Sequence, residues 1–344
     1  MSLVAKDVGS CDAASAKLSP LVPTPRKERR ERTAISSPYL HKLQRRHFIL
    51  FDILPIIGTL FAIGLLFVQP LTATDVALFV AMWALTGFSL SIGFHRLFTH
   101  RAFKTSAPIR VLLVAFGCMA ARSSMITWTA MHRRHHELAD HDGDVHSPNL
   151  YGRNLHGCLR GWLHAHFTWM LHHEYPNVAH YVPDLLADSA AVKADRIYYK
   201  WIALGLLLPA ALGGALSLSF IGALTGFLWG GVVRMFVVAQ QVSALNSFSH
   251  MFGTRPFQMD DNHSHNNFLF GLLTWGEGWH NNHHAFPYAA NFGLRWYQLD
   301  PGYWLIRLLE ILGLVWDVRR PSPEFIEVRR LSLMRGTASP AEAS

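Results

Sequence analysis

The sequence predicts an all-α membrane protein: four transmembrane helices in two hairpins, with a cytoplasmic helical cap holding a histidine-rich metal centre. Three observations carry this expectation. Charged residues fill only 16% of the 344 positions and hydrophobic ones 50%, whereas an ordinary soluble domain has roughly 25% charged residues. The long apolar runs come as two pairs, and the histidine clusters lie at the ends of those runs and beyond them.

The elements follow in order. Residues 1–38, with "RKERRER" set among Ser, Ala and Pro, are expected to be a disordered basic tail. From Phe48 to Phe94 the only charged residues are Asp52 and Asp75, and "PLTATD" divides the run. Spans are therefore expected at about 48–69 and 75–94. A second uncharged run extends from Trp201 to Val233, with an apolar pattern continuing towards Leu245 and small residues near Gly213 and Ser219 for a turn. It predicts spans at about 199–220 and 222–245. An apolar helix of about 20 residues rises roughly 30 Å, enough to cross the hydrocarbon core. The shorter runs Ile109 to Ala121 and Tyr303 to Trp316 suit in-plane or protein-packed helices. One functional domain over 39–328 and a disordered tail over 329–344 complete the plan.

Charge sets the orientation. Residues 1–47 hold ten Lys/Arg against four Asp/Glu, and neither loop within a hairpin holds any Lys or Arg. By the positive-inside rule both termini and the central region 95–200 face the cytoplasm, so the expected location is a multi-pass inner membrane, with the active site on the cytoplasmic side. The net charge of +8 is then a topology signal with some attraction to anionic lipid, and no nucleic-acid partner is expected. The first 47 residues lack the apolar core of a signal peptide. Cys11, Cys118 and Cys158 show no CxxC spacing and suit free thiols in a reducing compartment.

Of 21 histidines, the informative ones fall in four groups: His95 and His100 in "HRLFTH"; His132, His135 and His136 in "HRRHH"; His250, with Asn246, in "NSFSH"; and His280, His283 and His284 in "HNNHH". At 100° per residue HxxHH puts three imidazoles within about 100° of one helical face, and two such faces can enclose metal. Asn246 and His250, at i and i+4, also share a face. His95 and His100 diverge by about 140° on a regular helix, so either they serve different ions or the helix is irregular there. A zinc ion takes about four ligands; nine histidines suit two metals. Imidazole binds Zn, Cu, Fe and Ni alike. One HxxHH alone could be a surface accident, but two copies with flanking pairs at one membrane face argue for metal. The other histidines, His47, His166 and His173 among them, are expected at surfaces or interfaces, with His141 and His146 as candidate supports for the ligands.

At these residues the sequence resembles the integral-membrane fatty acid desaturases, specifically the acyl-CoA Δ9 (stearoyl-CoA-like) branch. The motifs "GFHRLFTHRAF", "WTAMHRRHHELAD", "NSFSHMFG" and "GEGWHNNHHAFPY" stand in that family's order, and the likeness covers roughly residues 45 to 300. The resemblance implies a di-iron centre, two iron ions that activate O2, and the introduction of a cis double bond into a saturated acyl chain. It implies His95, His100, His132, His135, His136, His250, His280, His283 and His284 as ligands, Asn246 as a contact through water, and Trp128 as a wall of the acyl tunnel, with Val242 beside it. The substrate would be a fatty acyl thioester or acyl lipid, and a separate ferredoxin, rubredoxin or cytochrome b5 would bring electrons. The compact chain suggests a bacterial enzyme. Iron agrees with the chemistry, since an unactivated C–H bond needs a redox metal and zinc has no redox chemistry. Glu277, Asp140 and Asp144 are placed to orient ligand imidazoles through their second N–H. Ser243, where animal acyl-CoA enzymes carry Trp, and an altered segment after the second motif leave the acyl carrier open.

The nearest rival is a hydroxylase or acetylenase using the same metals, the latter acting on a carrier-protein-bound chain. A polytopic metal transporter or sensor would place ionisable residues mid-span, and a zinc hydrolase would need fewer ligands and an HExxH motif.

Overall fold

The structure, a computed structural model, describes residues 32–259 and 262–334. Four helices are long and apolar enough to cross a membrane: span one, Pro38–Leu65; span two, Ala73–Thr99; span three, Tyr198–Ser217; and span four, Phe220–Phe248. Two hairpins are thus present, as expected, with shifted ends. Span one starts about ten residues before the predicted 48 because local chemistry, not hydropathy, nucleates it. The Ser37 hydroxyl accepts from Leu40 N at 3.2 Å and Pro38 occupies the first turn. The tail expected over 1–38 also becomes ordered at its end, where Ala34–Ile35 pairs antiparallel with Tyr175–Pro176; residues 1–31 lie outside the described residues. At the other end helix Pro323–Met334 runs past the expected boundary at 328, and 335–344 lie outside the described residues.

The charges inside the apolar runs have structural partners. Asp75 forms a reciprocal cap with Thr72 at the start of span two: Thr72 N donates to Asp75 Oδ2 at 3.0 Å, and Asp75 N to Thr72 Oγ1 at 3.2 Å. Arg234 of span four is fully buried and donates to the carbonyls of Gly230, Met119 and Gly205. It thereby ties the end of the short helix Ala107–Met119 to spans three and four, so that helix is packed in protein. Spans three and four approach closely: a Cβ on Gly226 would lie 2.3 Å from Pro209 O, the small-residue contact that lets membrane helices pack. Ile57, Leu60 and Phe61 of span one and Leu207 and Leu216 of span three are exposed; that apolar belt suits lipid and not water.

Beyond the spans, helices Met125–Leu138 and His280–Ala285 cover one end of the stem, with Pro301–Ile311 beside them. A second small pairing, Lys104–Thr105 with Val315–Trp316, joins this C-terminal part to the chain just after span two.

Candidate metal centre and its cavity

The nine clustered histidines come together as two groups. One holds His95, His100, His132, His136 and His283; the other holds His135, His250, His280 and His284; ligand-capable nitrogens within each lie inside 4.8 Å of one another. Each HxxHH motif is divided between them. The first and third histidines of "HRRHH" join the first group and the second histidine joins the second group, while "HNNHH" divides the opposite way. Adjacent residues on a helix point about 100° apart, so one short helix serves two centres lying side by side.

The irregularity at His95 and His100 resolves as a π-helical segment. Over Ser89–Thr99 the last part of span two is wound in π form, and His100 N donates to His95 O at 3.2 Å, five residues back. The Thr99 hydroxyl donates to Phe94 O at 2.8 Å and supports the same winding. Residues five apart then overlie, and the two rings sit 5.1 Å apart in one group.

Carboxylates behind the rings decide where the protons sit. His95 Nδ1 donates to Glu277, which also accepts from the Ser91 hydroxyl. His135 Nδ1 donates to Asp144 at 2.9 Å, and His250 Nδ1 to Asp140 at 3.2 Å. With the proton on Nδ1, Nε2 presents its lone pair to the group's centre. Burial, then the charge of neighbouring histidines and at His100 also of Arg133, pushes His100, His132, His136, His280, His283 and His284 well below the ordinary imidazole pKa. Those rings are neutral donors at neutral pH. For His250 burial acts the same way, but the Asp140 carboxylate outweighs it and raises the pKa. Burial works against ionisation of Asp140 and Asp144 too. Their histidine partners and hydrogen bonds prevail, holding Asp140 well below the usual carboxylate range and Asp144 at about 2.

This donor set fits two cations. In the first group Nε2 of His283 lies 2.9 Å from Nε2 of both His95 and His136, and Nε2 of His132 lies 3.1 Å from that of His136. In the second, Nε2 of His280 lies 2.9 Å from that of His250 and 3.1 Å from that of His284. Where both rings carry their proton on Nδ1, facing Nε2 lone pairs at such distances repel unless a cation stands between them. His100 Nε2 and His135 Nε2 are buried with no hydrogen-bond partner among the described residues, a costly state that a metal removes.

A cavity of about 880 Å³, mouth included, opens beside the first group. Its wall includes His132, Trp128, Val242, Ser243 and Asn246, so both expected tunnel residues stand there. Trp128 stacks on His132 at 5.0 Å between centroids. Asn246 stands one turn before His250 in that wall. His146 lines the cavity and forms a third cluster with His135 and Asp144, whereas His141 is exposed and sits against Ala139 O at 2.8 Å. Of the histidines expected at surfaces or interfaces, three have defined surroundings. His47 and His173 line the cavity, and His166 is buried, 3.0 Å from Ser247 Oγ and 3.1 Å from Gln240 Oε1.

Two supports have no signal in the sequence. The Asn262 amide lies 2.7 Å from His284 Nδ1. Arg96, fully buried, donates to Asp300 Oδ1 at 2.9 Å and lies 4.0 Å over the Phe292 ring, which itself packs on His283 and His95. The long-range partners of both emerge only on folding.

Comparison with known proteins agrees with this geometry. The fatty acid desaturase family profile matches residues 74–311, which contain every clustered histidine. The chain is 49% identical over 310 residues to the hex-5-enoyl-[acyl-carrier protein] acetylenase of Moorena producens (strain JHB), covering 90% of this chain and 96% of the relative. It is 34% identical to the sn-1 stearoyl-lipid 9-desaturase of Anabaena variabilis, over 72% of this chain and 84% of that one. It is 30% identical to acyl-CoA desaturase 1 of Saccharomyces cerevisiae (strain ATCC 204508 / S288c), over 80% of this chain and 51% of the relative. With a family profile spanning the histidine-bearing region and relatives matched over most of their own length, the chain is an oxidoreductase of the fatty acid desaturase family.

Proposed function

We propose that the protein uses O2 and a di-iron centre to remove two hydrogens from adjacent carbons of a carrier-bound fatty acyl chain, leaving a cis double bond. The observation that supports this most is the shared wall of the cavity: His132 of the first histidine group and Trp128, Val242 and Asn246 all face one space. Iron bound by the nine histidines, with Asn246 contacting one ion through water, would supply the O2 activation and redox chemistry that C–H cleavage requires. The protein's own part is positional. Glu277, Asp144 and Asp140 hold the imidazole tautomers, and Trp128 and Val242 orient the chain beside the metals. In the balance the substrate loses two hydrogens and O2 becomes two waters, with two further electrons and protons drawn from outside. A separate ferredoxin, rubredoxin or cytochrome b5 brings the electrons from the cytoplasmic side of a bacterial inner membrane.

The likeness to a hex-5-enoyl-[acyl-carrier protein] acetylenase, 49% identity over 90% of this chain, favours a second reading. In it the chain is carried by acyl carrier protein, and an existing double bond is taken on to a triple bond. Gas chromatography–mass spectrometry of acyl products from a desaturase-deficient host separates the two. New alkenes support the first reading and new terminal alkynes the second. His280→Ala is expected to abolish either product and to lower bound iron from two to about one per chain. Full activity with two irons in that variant would refute the ligand assignment.

A further inference from the structure

A second cavity lies against the helix that serves both metal groups. The three histidines of "HNNHH" belong to those groups, and its two buried asparagines hold the walls of the cavity. Asn281 Oδ1 accepts from Phe257 N at 2.9 Å, and its amide donates to Phe257 O at 3.0 Å. The Asn282 amide donates to Gln298 Oε1 at 3.0 Å, and that oxygen also accepts from Leu294 N at 2.7 Å and Arg295 N at 2.9 Å. Two loops, 254–257 and 294–298, are thereby fixed to helix His280–Ala285. Helix Pro323–Met334 supplies the remaining wall, with Ile326 packed on the cluster of Phe257 and Phe286. The space measures about 920 Å³, mouth included.

Arg255, Arg295 and Arg330 line this cavity, and among the described residues no carboxylate does. Arg255 Nη2 donates to the carbonyls of Met259 and Asn262, but its Nε is buried with no hydrogen-bond partner among the described residues. The Arg295 guanidinium has no hydrogen-bond partner among them either. Arg330 pairs with Glu327, one turn back on its own helix. A guanidinium stays charged throughout the physiological pH range. Three cations with one paired carboxylate leave two positive charges uncompensated around one space, and such a field draws anions.

We propose that this cavity binds a phosphate ester, with its phosphate between Arg255, Arg295 and Arg330 and its apolar body against Phe257, Leu294 and Ile326. A phosphate monoester carries about −1.5 to −2 charges at neutral pH, which matches the surplus where a single carboxylate does not. The planar guanidinium fork also fits phosphate oxygens in pairs. Bound there, the ester joins helix Pro323–Met334, which has no fully buried residue of its own, to the two loops fixed on the metal-bearing helix. The inference stands apart from the reaction that the metal groups carry out.

Inorganic phosphate, titrated calorimetrically into the detergent-solubilised, metal-loaded full chain at constant ionic strength, tests the charged half of the site. One site per chain is expected. Arg295 and Arg330 are both partly exposed, so Arg295→Gln/Arg330→Gln leaves the core intact, and its affinity should fall about tenfold or more, the loss of one charge-assisted hydrogen bond. Phosphate held by the metals instead would bind that variant equally well and overturn the inference, as would no binding to the unaltered chain. Hydrogen exchange supplies an arm that needs no variant: phosphate, but not chloride, should slow exchange in helix Pro323–Met334 about threefold or more, and unchanged exchange there would also overturn it. AMP and phosphatidic acid in mixed micelles then test the apolar half. Whichever binds about tenfold tighter than inorganic phosphate identifies the source as a soluble ester or a lipid headgroup. No gain from either would refute the apolar half and with it the phosphate-ester assignment.

Discussion

Glu277 links three parts of the chain: it receives the His95 ring N–H, the Ser91 hydroxyl and, at 3.8 Å, the approach of the buried Arg96 guanidinium. It is three residues before the start of the last histidine motif, yet its partner belongs to the first. Its charge fixes the His95 tautomer, so removing that charge while keeping the shape isolates the orienting role. Glu277→Gln is expected to weaken metal retention in the five-histidine group about 10–100-fold, the usual loss when a ligand's outer partner is altered, while the four-histidine group keeps its ion. Asp144→Asn should do the reverse through His135. Metal per chain after graded chelator dialysis measures both; equal loss from both groups in either variant would show that the carboxylates act on the fold as a whole.

At the scale of elements, the Asp52–Arg122 pair fastens span one to the loop that launches helix Met125–Leu138. Breaking one side of a buried pair strands a charge, at about 3–5 kcal/mol, whereas removing both sides for apolar residues can be near neutral. Arg122→Leu alone should therefore lower the Tm in detergent more than Asp52→Leu/Arg122→Leu does. A double variant as unstable as the single one would show that the guanidinium matters through packing. The spans three and four hairpin gives a separate test. Gly226→Val puts new atoms onto the Pro209 carbonyl, and overpacking of this kind costs about 1–3 kcal/mol. A fall in Tm is expected, and an unchanged Tm would mean that the helices can part there without loss. These elements also show what could be read from the chain beforehand. The four spans were legible because a long apolar run has few alternatives, and the histidine motifs because nine histidines in four short motifs leave a dense local signature. At His95 to His100 the 140° divergence on a regular helix left an irregular helix as one of two alternatives, but the π form itself was not legible, since the sequence between them does not specify the winding. The opposite division of the two HxxHH motifs, the Arg96–Asp300 pair and the Asp52–Arg122 pair were equally hidden, because each is set by residues that are tens to hundreds of positions apart and meet only on folding.

For the whole molecule, the arrangement of charge and the position of the metal groups must agree on which side of the membrane the chemistry sits. His95 closes span two and His250 follows span four, so both groups lie at the end where the even-numbered spans finish. The basic residues Arg45 and Arg46 sit near the start of span one, at that same end, and the loops 66–72 and 218–219 at the other end carry no Lys or Arg. Positive charge resists translocation, so the metal end is expected in the cytoplasm, where a soluble electron carrier can reach it. Leu218, at the turn between spans three and four, is 92% exposed, and Leu155, beyond span two on the metal side, is 78% exposed. In a background with Cys11, Cys118 and Cys158 replaced, Leu218→Cys should react with a membrane-impermeant maleimide in intact spheroplasts, and Leu155→Cys only after permeabilisation. The opposite pattern would place the histidine groups outside and rule out a cytoplasmic electron donor. Labelling of both positions without permeabilisation would mean that span three does not cross, since that single crossing is what puts Leu155 and Leu218 on different sides.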